Sequence, residues 1–316
     1  MNPVTQTIEA IVKTIGTEEF ENTGDVKINR EKLDEFCTNF DYKKAKYWMD
    51  DCPIDLSWMD EQDKLAFLFV FNSSSFSYWN DPEWKAEGYE YEMYRGTWNM
   101  LFALNKAIKN NRQLLDPNYL STINEEELGI ILKGNIKIPL LKERAAILRE
   151  LGKGVVESFN SDFNEVLMTA NYDAIEFVKL MVSEFPTFND SSVYKGHKVC
   201  FYKRAQLLAS DISNGFTDLS NSDKLTALAD YIEPMALRQL RIFEYSPRLA
   251  HIVNNKIEIP SKSEMENEIR IKNVYTAKLI SKRTGLTQMQ INDALWNMKS
   301  IISDIYKHHR TRGCNY

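Results

Sequence analysis

Four short stretches of the 316-residue chain hold side chains whose types and spacing can do chemistry. The first is LADYIEP, residues 228–234, which places Asp230 directly after Leu228 and Ala229 and four residues before Pro234. Leu225, Leu228, Ala229 and Ile232 fall on one helical face, Ser220 and Asp223 resemble a capping box, and the proline prevents the helix from continuing with normal bonding. A carboxylate at the edge of an apolar face near a helix end is partly desolvated and meets few competing donors, so its charge acts strongly on a nearby cation. The plain alternative is a surface aspartate.

The second stretch is FYKRAQLLASDI, residues 201–212. Phe201, Ala205, Leu208 and Ile212 form its apolar stripe, so Lys203, Arg204 and Gln206 point either into a cleft or into water; charged helical residues are mostly exposed, which favours a solvated face. Asp211 stands seven residues after Arg204 on a similar azimuth and is an expected internal partner for it. The third stretch, FNSSSFSYW with YRGTW, gathers Phe71, Phe76, Tyr78, Trp79 and Trp98 beside small polar residues. These are either core aromatics next to a capping loop or a platform for a flat heterocycle, where each stacked base is worth about 1–3 kcal/mol. The fourth, the terminal HHRTRGCNY, is either a frayed basic tail or a small anion clamp in which Arg310 and Arg312 meet a phosphate.

The elements that must position these residues are mainly helical. In TQMQINDALWNMKSIISDIYK the apolar Ile291, Leu295, Met298, Ile302 and Ile305 recur at steps of 4, 3, 4 and 3, and Thr287 with Gln290 forms a capping box. A helix over about 274–283 precedes it and stops at Gly285, so the two are expected to form a helical hairpin. Leu141, Ala145, Leu148, Gly152 and Val155 define another amphipathic helix after Pro139; Ile175, Val178, Val182 and Phe185 define one ended by Pro186. Strand is minor: VYKGHKVCF predicts a hairpin around Lys195 and Gly196, and GYEYEMYRG alternates at period two. Residues before about 72 suggest a helical N-terminal layer that caps a pocket. Without repeats or a Gly/Ser/Pro linker, the expectation is one mainly α domain spanning 1–316 with minor β-hairpins.

Composition narrows the partners. The net charge is −6 and no run of five or six basic residues occurs, whereas a long nucleic acid is usually held by a basic stripe. No stretch approaches 18 uncharged apolar residues and the N-terminus lacks a signal-peptide pattern, so a soluble, cytoplasmic chain is expected, with no membrane partner. The four cysteines and four histidines show no metal-ligand spacing, which predicts reduced thiols and neither a structural zinc nor a disulfide framework. Walker, Rossmann and nucleophile-elbow patterns are absent.

Taken in order, FNSSSFSYW, YRGTWNMLFALNKAI, IPLLKERAAIL, SEFPTF, FYKRAQLLASDI, LADYIEP and HRTRGCNY resemble the queuosine salvage family, the queuosine 5′-phosphate N-glycosylases, over residues 72–316. The resemblance implies a helical fold similar to the helix-hairpin-helix DNA glycosylases. It also implies hydrolysis of the N-glycosidic bond of queuosine 5′-monophosphate, and of queuosine nucleoside as a second substrate, to release queuine for reuse in tRNA. It makes Asp230 the catalytic carboxylate and Lys203 the second catalytic residue. Phe76, Trp79, Trp98, Tyr231, Arg204, Arg310 and Arg312 become the substrate-binding set, in a monomer that needs no cofactor. Met235 stands where the family pattern has a polar residue after the proline. Two rivals belong to other classes: a base-flipping nucleic-acid glycosylase, which the missing basic stripe disfavours, and a non-catalytic queuine-binding module, which turnover would exclude.

Overall fold

The computed structural model describes residues 1–91, 95–298 and 307–316. The chain is mainly helical, with two small antiparallel sheets. It forms two compact units built from interleaved segments: Met1–Asp50, Asp190–Lys203 and Asp223–Arg312 make the first, and Asp51–Asn189, Arg204–Ser222 and Gly313–Tyr316 the second.

The first unit is organised on the long helix Glu264–Thr284, capped by Ser263 and ended by Gly285 at φ 77°. Only Gly adopts this left-handed backbone without a Cβ penalty, which is why the helix stops there. The sequence predicts this helix only from about residue 274, yet it begins ten residues earlier. Its first three turns bury Glu266, Asn267, Glu268, Arg270, Lys272 and Asn273, so the polar residues that usually mark a solvent face here face protein. Apolar periodicity is blind to such a helix. The next helix, Gln288–Asn297, carries the expected capping box of Thr287 and Gln290 and packs against the long one, forming the expected hairpin. Ile302 and Ile305 lie outside the described residues. Strand Val26–Ile28 pairs with Phe243–Tyr245, and their buried Val26, Ile28 and Phe243 join Ile269, Ala277, Ile291 and Leu295 in one core. The predicted hairpin is present as Ser191–Tyr194 paired with His197–Cys200, turning through Lys195 and Gly196 at φ 47° and 78°. The N-terminal layer is partly helical, with Pro3–Ile15, Thr17–Asn22 and Arg30–Thr38 in this unit.

The second unit centres on helix Glu61–Ser74, which is buried from Leu65 to its end. Phe69 packs its ring 4.7 Å from Phe163 and 5.9 Å from Phe177. Helix Leu141–Ser158 lies against it and buries Leu141, Ala145, Leu148, Gly152 and Val155, the face read from the sequence. Helix Ala174–Glu184 ends before Pro186 as expected. The alternating stretch at 88–96 includes residues 92–94, which lie outside the described residues.

Two expectations fail in ways that matter for the site. Residues 225–229 form no regular secondary structure rather than a helix; the helix there is Ile232–Gln239, and Pro234 sits inside its first turn. Pro is tolerated at that position because the first helical N–H groups have no intrahelical acceptor to lose. No capping box forms at Ser220 and Asp223: the Ser220 hydroxyl instead donates to Tyr172 and Asp173. The second failure is the solvated face of FYKRAQ, since Lys203, Arg204 and Gln206 are all buried.

Candidate active site

Residues 225–229 have no helix or sheet ladder to satisfy their backbone, so neighbouring side chains contribute. Asn292 Oδ1 accepts the Leu228 N–H at 2.9 Å, Asn273 Nδ2 donates to the Leu228 carbonyl at 2.8 Å, and Arg270 Nε donates to the Ala229 carbonyl at 3.0 Å. The chain then bends at Asp230 and Tyr231 into helix Ile232–Gln239. Asp230 Oδ1 accepts the N–H of Ile232 at 2.6 Å and, more loosely, that of Glu233 at 3.4 Å. The carboxylate therefore meets two donors at a helix N-terminus, where the helix dipole also favours negative charge. Asp230 is only 8% exposed, so it is not a surface aspartate.

Lys203 reaches the same unit through a strained turn. The N–H groups of Phe201 and Tyr202 both donate to the Asp190 carbonyl, at 2.9 and 3.2 Å, and Tyr202 is held at φ 49°. A bulky residue in the left-handed region is uncommon and persists where its surroundings over-determine it. Here the turn aims helix Lys203–Gly215 so that Lys203 starts it, buried.

Arg270 ties the two approaches together. Its guanidinium binds both oxygens of Asp190 in a bidentate pair, stands 3.8 Å from the Phe201 ring centroid, lies 3.6 Å from Glu266 and holds Ala229 through Nε. One buried arginine thus fixes both the turn before Lys203 and the irregular segment before Asp230, using the planar fork that lysine lacks. Sequence reading missed Arg270 because an arginine among polar helical residues carries no pattern of its own.

Glu233 was missed too. It is fully buried, and burial together with the neighbouring Asp230 charge pushes its carboxyl well above the usual carboxylate range, while Lys203 and Asn273 pull it down. Lys203, Asp230 and Glu233 therefore form one electrostatic cluster.

The first unit also holds Tyr231, Arg310 and Arg312. The Tyr231 ring packs 4.6 Å from that of His308. Arg312 is paired with Glu258 at 2.7 Å, so a phosphate would compete with an existing partner, and the Arg310 carbonyl accepts the Ile259 N–H at 2.7 Å. The tail is not frayed: His309 and Thr311 are buried, and burial lowers the His309 imidazole to about 3.

Phe76, Trp79, Trp98 and Arg204 lie in the second unit, all buried. Arg144 donates to the carbonyls of Ser74, Phe76 and Ser77 and sits 4.2 Å from the Phe76 ring centroid; Arg204 sits 5.5 Å from the same centroid and donates to the Ser73 carbonyl at 2.8 Å and to the Thr187 carbonyl. Two cations already use the Phe76 ring, which suits it to shaping the loop. Asp211 accepts from Asn72 Nδ2 at 2.9 Å. Ser77, at φ 41°, donates to Gly313 and takes part in fixing the last residues, its N–H reaching the Tyr316 carbonyl at 3.2 Å.

Neither of two surface clefts, of about 490 and 370 Å³, is lined by any of these residues. A well-formed hollow is a weaker guide here than the buried charges. Among the described residues no cluster of three or more His, Cys, Asp or Glu is arranged to hold a metal ion, and no helix is long and apolar enough to cross a membrane.

Comparison with known proteins adds the lineage. The family model for queuosine salvage protein matches residues 56–316. A protein of Sphaerobacter thermophilus is 34% identical over 274 residues, covering 83% of this chain and 84% of its own. One of Dictyostelium discoideum is 30% identical over 335 residues, with 98% of each chain covered, and one of Schizosaccharomyces pombe is 26% identical over 313 residues, with 88% of each covered. All three are named queuosine 5′-phosphate N-glycosylase/hydrolase. With the family model matching most of its length, this chain belongs to the queuosine salvage protein family.

Proposed function

We propose that this protein hydrolyses the N-glycosidic bond of queuosine 5′-monophosphate and releases queuine, with Asp230 as the reacting carboxylate. The observation that carries the reading is Asp230 itself: a buried carboxylate held by two backbone N–H groups, with Lys203 acting electrostatically on the same cluster, in a chain of this family. Breaking the bond between C1′ and the base builds positive charge on the ribose. A fixed carboxylate beside C1′ stabilises that charge and takes a proton from the attacking water, and it works best where water is excluded and the group is already oriented. The departing 7-deazapurine has no N7 to accept a proton, so hydrogen bonds and stacking on the base must stabilise its developing negative charge. Lys203 supplies a cation to the cluster and is suited to a ribose hydroxyl or the 5′-phosphate.

Tyr231, Arg204, Trp79 and Trp98 remain proposed substrate contacts, as do Arg310 and Arg312; Phe76 is assigned to supporting the loop that carries Trp79. The hairpin of Glu264–Thr284 and Gln288–Asn297, turning at Gly285, supports a fold akin to the helix-hairpin-helix glycosylases. A cytoplasmic monomer is the state proposed for the active protein.

The test is base release from queuosine 5′-monophosphate and from queuosine, followed by chromatography with EDTA present and with Asp230→Asn alongside. Queuine released by the wild type alone supports the reading, and the ratio of the two rates gives the contribution of the phosphate. Binding of queuine without release from either substrate would replace the hydrolase with a binding module.

A further inference from the structure

Glu233 has no exposed surface, yet it stands three residues after Asp230, in the first turn of the helix that follows the Asp230 bend. Its Oε2 accepts from Asn273 Nδ2 at 3.2 Å, and that nitrogen also serves the Leu228 carbonyl. No N–H or O–H of the described residues reaches Oε1. The backbone N–H of Glu233 approaches Asp230 Oδ1 at 3.4 Å, so the two side chains leave one tight bend, and the Asp230 carboxylate is an oxygen group that can only accept. A buried carboxyl with one oxygen undonated and the other served by a shared amide is costly to ionise, and a proton removes that cost.

The donors decide which residue holds that proton. Asp230 has the N–H groups of Ile232 and Glu233 to stabilise an anion; Glu233 has one shared neutral amide. The charged groups acting on Glu233 are Asp230 from the preceding bend and Lys203 from the start of its own helix, with neutral Asn273 reaching it from the long helix. Beside the Asp230 charge a fully buried Glu233 does not ionise cheaply.

We propose that Glu233 keeps its proton at neutral pH and donates it to Asp230, acting as a positioning residue that orients the Asp230 carboxylate and leaves the pair with a single negative charge opposite Lys203. This rests on Asp230 being the reacting group, and it extends that reading to how Asp230 is aimed. A second anion at this place would repel the substrate phosphate and remove the donor that fixes Asp230, so ionisation of Glu233 sets an alkaline limit on turnover.

Glu233→Gln keeps the shape and a donor but cannot ionise. The first readout needs no substrate: the melting temperatures of wild type and Glu233→Gln are compared from pH 4 to pH 9. The folded carboxyl titrates above its unfolded value of about 4.3, so its contribution is fully present below that pH and is lost as pH rises toward the folded value. Glu233→Gln has no such loss, and its melting temperature relative to wild type is expected to climb by several degrees through that window. A difference that stays flat with pH overturns the proposal. The second readout is turnover: Glu233→Gln should keep kcat within about threefold at neutral pH and lose the alkaline limb of the profile, whereas Glu233→Leu should lose roughly 10- to 100-fold at all pH values. Loss in Glu233→Gln as large as in Asp230→Asn also overturns it, because Glu233 would then be required as an anion. Should Glu233→Gln not fold, infrared spectroscopy decides: a protonated-carboxyl band at pH 7 that persists in Asp230→Asn is expected, and its absence refutes the proposal. Failure of the wild type to release queuine would remove the proposed function but leave the melting and infrared readouts able to decide the proton.

Discussion

Asp230→Asn isolates the charge of one side chain from its structural duty. The amide Oδ1 still accepts the N–H groups of Ile232 and Glu233, so the bend and the helix start survive, while the negative charge is lost. The expected outcome is a melting temperature close to wild type with kcat lowered by about 10²–10⁴-fold, measured by queuine release. Wild-type turnover in this variant would take Asp230 out of the mechanism. Trp79→Ala tests the aromatic assignment in the second unit. A stacking role predicts a queuine dissociation constant weakened by about 1–3 kcal/mol in a binding titration; an unchanged constant with a lower melting temperature makes Trp79 a core residue.

At the scale of elements, the site depends on segments that are not held by regular hydrogen bonding. Residues 225–229, which form no regular element, are held by side chains of two helices, and the turn before Lys203 is held by Asp190 and through it by Arg270. Arg270→Lys keeps the charge but loses the bidentate fork and the Nε bond to Ala229, so both segments loosen together. The expected result is a fall in kcat of at least about tenfold with a much smaller change in KM, accompanied by a lower melting temperature. Rescue by lysine to wild-type kcat would show that only the charge matters. Gly152 makes a different point about helix Leu141–Ser158. Helix propensity alone would favour Ala there by roughly 0.5–1 kcal/mol, but a Cβ would come within 2.3 Å of the Ser121 nitrogen and 2.6 Å of the Leu120 carbonyl carbon. Backbone cannot swing aside as a side-chain tip can, so Gly152→Ala should destabilise by about 1–3 kcal/mol in denaturant unfolding. A more stable Gly152→Ala would mean that the approach is looser than it stands.

For the whole molecule, ligand linkage gives a test that does not depend on turnover. A product that binds only the folded chain stabilises it by about 2.7 kcal/mol at a hundredfold excess over its dissociation constant. Queuine should therefore raise the melting temperature of the wild type and of Asp230→Asn alike, since the binding contacts survive the catalytic change. A net charge of −6 predicts no such stabilisation by duplex DNA at any salt concentration, and a salt-dependent rise with DNA would support the nucleic-acid glycosylase instead.

What the sequence by itself determined follows from short-range rules. The cap at Thr287, the stop at Gly285, the turn at Lys195 and Gly196 and the apolar face of Leu141–Ser158 all depend on neighbours within a few residues, and all were legible. The motif order pointed to the family, and Asp230 and Lys203 stood out through the family pattern. Burial of polar side chains was decided only by tertiary structure. Spacing placed Lys203, Arg204 and Gln206 on a solvated face, because a charge off an apolar stripe normally faces water, yet all three are enclosed. The same reasoning truncated the long helix, whose first turns bury Glu268, Arg270 and Lys272 against partners distant in sequence. The irregular stretch before Asp230 went unread for the mirror reason: its apolar residues fit a helix, but Asn273, Asn292 and Arg270 offer its backbone better partners from elsewhere in the chain. Glu233 and Arg270 carry no sequence signal, since what singles them out is a buried carboxyl oxygen left without a donor and a guanidinium joining two segments, and both arise only when the chain is folded.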